Sequence, residues 1–118
     1  MPILYRADAE TEEGYPGIPR TILVDASRGA ESLWLGHLEI EPGARVTTHI
    51  HPDTEEAMVI VEGTLEALLG DEVVTLGPGD TVLAPAGVKH GFVNRSESKA
   101  ALLASFPKTS FQRITVDS

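Results

Sequence analysis

The chain has 118 residues, 42% of them hydrophobic, no cysteine and a formal net charge of −9. That length supports one domain with a core of its own and is too short for two, and the lack of cysteine excludes disulfides, thiolate metal ligands and a cysteine nucleophile. An acidic chain with no Lys/Arg cluster repels nucleic acid and anionic membrane surfaces, and its apolar runs fall far short of the ~20 residues of a membrane span.

Residues 6–19 are acidic, contain glycine and two prolines, and read as an arm or edge within a 1–20 N-terminal segment. TILVDA (21–26) predicts a short strand, RGAES a turn, and LWLGHLEI (33–40) a second strand. After the turn EPG (41–43), ARVTTHIH (44–51) and EEAMVIV (55–61) predict two strands joined at Pro52-Asp53-Thr54. TLEALL (64–69) and EVVTL (72–76) form a hairpin across Gly-Asp, followed by the turn GPGD (77–80). TVLAP, HGFVN (90–94), AALLASF (100–106) and FQRITV (111–116) complete the series. About ten short strands with closely spaced turns and no helical period predict an all-β sandwich or barrel. The opening MPILYRADAETEEG lacks the basic, apolar and small-residue order of a signal peptide, so a cytoplasmic location is expected.

The chemistry concentrates in HIHPDTEE. On a strand, His49 and His51 point to one face, roughly 6.6 Å apart along the chain, within reach of a single ion. Glu56, Met58 and Ile60 share a face of the next strand, and His90 opens a later one, on a face with Phe92 and Asn94. His49, His51, Glu56 and His90 form a nitrogen and oxygen donor set. It suits one divalent transition metal (Fe, Mn, Ni, Co, Cu or Zn) better than Ca or Mg, and leaves positions open for water, O₂ or substrate. Isolated histidines more often hydrogen-bond in a core; their grouping favours ligation. Glu55 competes with Glu56 for the ligand position and is expected to point to solvent or to the opposite face.

These residues resemble the two motifs of the cupin superfamily. The first is Gly, five residues, His-x-His, four residues, Glu, six residues, Gly: Gly43, His49, His51, Glu56 and Gly63. The second is Gly, five residues, Pro-x-Gly, two residues, His, three residues, Asn: Gly79, Pro85, Gly87, His90 and Asn94. The resemblance implies a single-domain double-stranded β-helix, or jelly-roll barrel, over residues 1–118, with the motifs at 43–63 and 79–94. The glycines are expected in turns at positive φ, and Pro85 and Gly87 are expected to aim His90 inward.

Trp34, Val46, Met58, Ile60 and Phe92 are candidates to line a substrate cavity, with plain core packing the competing reading for each. Arg45 shares a parity with His49 and would hold a substrate carboxylate if it faced the cavity; a solvated arginine is the competing reading. His37, opposite in parity to Trp34, Leu38 and Ile40, reads as surface or interface.

The function expected is a small metal-dependent enzyme such as a dioxygenase acting on a small organic molecule, aromatic ones included, with Glu56 also available as a base. Alternatives are a non-redox isomerase, cyclase, lyase or decarboxylase, and a non-catalytic small-molecule-binding or sensor module. Resemblance to cupins of this size also implies a homodimer formed through edge strands and an exchanged terminal arm.

Overall fold

The computed structural model describes residues 2–116; positions 1, 117 and 118 of the expected domain lie outside the described residues. The strands are β1 (Thr11–Tyr15), β2 (Ile18–Val24), β3 (Trp34–Ile40), β4 (Arg45–Ile50), β5 (Glu56–Glu62), β6 (Leu65–Leu69), β7 (Glu72–Leu76), β8 (Thr81–Ala84), β9 (His90–Val93), β10 (Ala100–Phe106) and β11 (Ile114–Thr115). They form a six-stranded sheet ordered β1-β2-β3-β10-β5-β8 and a five-stranded sheet ordered β11-β4-β9-β6-β7. This is the all-β jelly-roll arrangement expected. Among the described residues no helix is long and apolar enough to cross a membrane.

Strand identity follows from alternation. In β3, Trp34, Gly36, Leu38 and Ile40 are buried while Leu35, His37 and Glu39 are half-buried on the outer face. In β5, Glu56, Met58 and Ile60 point inward and Ala57 and Val61 outward. A half-buried sheet selects this period of two. The core lies between the sheets, where Ile18, Ile40, Ile60, Leu65 and Leu102 are at most 1% exposed.

The segment expected as an arm or edge supplies β1, which pairs with β2 in the same chain (Thr11 opposite Thr21) and forms one edge of the larger sheet. The expected strand 111–116 shrinks to Ile114–Thr115, paired with Ile50 and His49 of β4. Gly43, Gly63, Gly79 and Gly87 all take positive φ.

Asn94 is fully buried and acts structurally. Its Nδ2 donates to the carbonyls of Ile40 and Ser98, both at 2.8 Å, and its Oδ1 accepts from Ser96 N and Oγ. The loop leaving β9 is thereby tied to the end of β3.

One departure from simple alternation positions the site. The pairing of β4 with β9 shifts register between Val46 and His49. A bulge inserts a residue and turns the following side chains to the other face. Val46, Thr48 and His49 are therefore all buried, while Arg45 and Thr47 are exposed. Gly91 on β9 makes room for the kink: a Cβ there would sit 2.8 Å from the Val46 carbonyl oxygen.

Candidate metal centre and its cavity

Four side chains converge inside the barrel. His49 comes from β4, His51 from just beyond it, His90 from the start of β9, and Glu56 from the start of β5 in the opposite sheet. All are buried, and their ligand atoms lie within 4.8 Å of one another. Nε2 of His49 is 3.1 Å from Nε2 of His51; Glu56 Oε1 is 3.3 Å from His51 Nε2 and 2.9 Å from His90 Nε2. Glu55 is exposed, so Glu56 alone of the pair faces the histidines.

Each imidazole is oriented by a backbone carbonyl. Nδ1 of His49 donates to Thr47 O at 2.6 Å, Nδ1 of His51 to Gln112 O at 2.6 Å, and Nδ1 of His90 to Val88 O at 3.1 Å. A carbonyl only accepts, so each Nδ1 carries the proton and each neutral ring presents an Nε2 lone pair to the centre. Two lone pairs then oppose each other across 3.1 Å beside a carboxylate. A divalent cation relieves that repulsion, as do added protons on the rings facing Glu56. The donor set fits a transition metal on this ground.

Electrostatics agree. Burial, the main cause, lowers the pKa of His49 from 6.5 to about 4 against the upward pull of its bond to Thr47 O, and the charges of His90, Arg113 and His51 add smaller downward pushes. For His51 burial also pulls down, but the hydrogen bonds to Glu56 and Gln112 O and the Glu56 charge raise it above the usual imidazole value. Burial pushes Glu56 up, and the bonds and charges of His51 and His90 more than reverse this, so it stays ionised below the ordinary carboxylate range.

A cavity of about 480 Å³, its open mouth included, leads from these ligands to solvent. Trp34, Val46, Met58 and Phe92 line it as expected residues. Two expected lining residues do not. Arg45 is exposed on a separate groove with Glu66 and Lys89, because the β4 bulge reverses the parity on which its placement rested. Ile60 shares the face of Glu56 but lies four residues further along β5, fully buried in the core. His37 is half-buried on the outer face of the larger sheet, and its buried Nδ1 has no hydrogen-bond partner among the described residues.

Sequence reading missed the far wall and the mouth. Phe106 stacks on Phe111 with centroids 3.7 Å apart, and both meet the His51 ring edge to face. Phe106 has the parity of Leu102 and Ala104 on β10, a usable signal. Phe111, Tyr15, Arg20 and Arg113 had none, being brought in from the two ends of the chain. Arg113 Nε donates to Tyr15 Oη at 2.6 Å across 98 positions. Asp53, which accepts from Gln112 N at 3.2 Å and from Lys108 Nζ at 3.0 Å, anchors the segment that carries Phe111 and Arg113. Lys108 and Gln112 N hold the Asp53 carboxyl below its usual range.

Residues 36–106 match the family model described as Cupin domain. The chain belongs to the cupin family. Among curated relatives, this cupin is 33% identical over 87 residues to the tetracenomycin polyketide synthase protein TcmJ of Streptomyces glaucescens, covering 74% of this chain and 58% of that protein. The cupin thus spans little more than half the length of that relative. Among solved structures, a sugar phosphate isomerase of the cupin superfamily from Silicibacter pomeroyi superposes with a TM-score of 0.85 at 26% identity, covering 99% of this chain and 83% of the other. The polyketide cyclase RemF of Streptomyces resistomycificus gives 0.80 at 24% identity, covering 100% and 88%, a likeness of fold.

Proposed function

We propose that this cupin is a metal-dependent enzyme acting on a small aromatic or polyketide-type molecule, at a carbon beside a carbonyl, as a cyclase or isomerase does. The observation that carries this is one arrangement: a buried His₃Glu group forms the end of a cavity whose walls are aromatic and aliphatic. A relative named for polyketide synthesis, 33% identical, supports the substrate class. Cupin barrels host many reactions, so the site and not the fold supports the reading.

His49, His51, His90 and Glu56 would hold the ion, which when bound supplies Lewis acidity toward a carbonyl oxygen, or redox chemistry with O₂ if it is iron or copper. The remaining work belongs to the chain. Trp34, Phe106 and Phe111 seat a flat ring system and exclude water from the buried end. Glu56, ionised and fixed by two imidazoles, is the base nearest the reacting end and accepts the proton that leaves the activated carbon. Tyr15, whose phenol pKa is raised mainly by burial against the opposing pull of Arg113, keeps its proton and donates a hydrogen bond at the other end.

A dioxygenase is the second reading, favoured by the nitrogen-rich donor set, which accommodates iron. Both are tested on protein purified without added metal, its metal identified by elemental analysis. Metal-dependent deuterium exchange at the α-carbon of aryl 1,3-diketones, lost in Glu56→Gln, is the expected result. Oxygen uptake without exchange selects the dioxygenase. Neither activity with any bound metal overturns both in favour of a binding module.

A further inference from the structure

We infer that the cavity selects an aromatic carboxylate, whose charged end is held by Arg113 and Tyr15 while its ring lies against the wall to which Trp34, Phe106 and Phe111 contribute. The inference deepens the proposed function and rests on the cavity being the substrate site.

Two guanidinium groups reach the cavity, and they differ. Arg20 is neutralised by Glu12, with Nε 3.1 Å from Oε1, and its Cζ lies 5.6 Å from the Trp34 ring centroid. Arg113 has no carboxylate partner among the described residues. It donates Nε to Tyr15 Oη at 2.6 Å, Nη1 to Thr115 Oγ1 at 2.8 Å and Nη2 to Thr47 O at 3.4 Å. That leaves one N–H on each terminal nitrogen without a partner among the described residues. Tyr15 Oη accepts from Arg113, and its own proton has no acceptor among them. Three donors, and a positive charge with no carboxylate partner among the described residues, thus gather beside the aromatic and aliphatic wall of the cavity.

The acceptor side of the cavity is already occupied. Glu56, the one carboxylate among the described residues that lines the cavity, is engaged by His51 and His90. A ligand that suits this cavity brings an anionic oxygen to the free donors and a flat apolar body to the walls. A planar carboxylate accepts two parallel N–H bonds from a guanidinium, a match a neutral amide of the same shape lacks. The charge is local: the chain as a whole carries −9 and repels anions at long range, so selection depends on this contact. Arg113 is solvent-exposed, which limits the effect to about a five- to tenfold preference.

Trp34 is the only tryptophan, and it lines the cavity, so its fluorescence reports occupancy directly. The experiment titrates chelator-treated, metal-free protein with benzoate and with benzamide, its neutral analogue. The expected result is benzoate binding at least fivefold tighter than benzamide. In Arg113→Gln the preference falls to near unity because benzoate loses several-fold more affinity than benzamide; Arg113→Lys restores part of it, and Tyr15→Phe lowers it about threefold. An unchanged melting temperature shows that the variants fold. Equal binding of the two probes, no binding of either, or a benzoate preference that survives Arg113→Gln each overturns the inference. Since the titration uses metal-free protein, failure of the metal reading shows separately, in the elemental analysis.

Discussion

Glu55 and Glu56 are adjacent and chemically alike, yet one is exposed and the other is only 6% exposed beside three imidazoles. Substituting Glu56→Gln removes the charge that balances the cation and weakens metal binding by at least tenfold, whereas Glu55→Gln leaves affinity within twofold, as isothermal titration will show. His49 makes a second residue-scale prediction, on metal-free protein. Its folded pKa near 4 lies below the ordinary 6.5, so between these values the unfolded chain takes up a proton that the folded chain refuses. Its stabilisation is complete above 6.5 and is lost as pH falls through about 4. His51 runs the other way: raised above the ordinary value, its contribution is present in acid and lost as pH rises through its folded pKa. Denaturant midpoints across this range should therefore fall toward acid in the wild type and fall less steeply in His49→Asn. With metal bound, protons compete for the imidazoles, and the ion should dissociate below about pH 6. Full retention at pH 4 would count against imidazole ligation.

At the scale of elements, the strands whose polarity alternates were legible, and β3, β5 and β10 lie within a residue or so of their expected bounds. Alternation failed at β4, where the bulge at Val46–His49 places three of four consecutive side chains inside. A bulge depends on the facing strand, here on the space above Gly91, and a single strand's sequence does not display it. This is why Arg45 faces away from the metal group and Val46 faces the cavity. Replacing Gly91 by alanine places a methyl group 2.8 Å from Val46 O and 3.3 Å from Thr48 N and Cα, both backbone. The strand must move, at a cost of about 1–3 kcal/mol. Because the displaced segment carries His49, urea midpoints and metal affinity should fall together in Gly91→Ala; loss of stability with metal affinity intact would separate the bulge from the site.

For the molecule as a whole, the important fact is that the candidate ligands come from both sheets: His49, His51 and His90 from the five-stranded side, Glu56 from the six-stranded side. A bound ion therefore clamps the two layers, and a ligand that binds only the folded state adds about 2.7 kcal/mol at a hundredfold excess over Kd. For a chain of this size that raises Tm by roughly 10 °C. Thermal melts with and without a chelator should show this difference in the wild type and lose most of it in His90→Ala.

The sequence by itself determined the class of fold, the turns and the four convergent candidate ligands. These rest on local pattern: strand alternation, glycines where φ must be positive, and fixed spacings that set which side chains share a face. Tertiary structure alone decided the rest of the site. Arg113 meets Tyr15 across 98 positions, Phe111 stacks on Phe106, and the Gln112 carbonyl fixes the tautomer of His51 across 61. Such contacts arise where chain ends are folded over a barrel, and no local period encodes which distant residue arrives there. The metal group was therefore readable from spacing, while the part of the cavity that would choose a ligand was not.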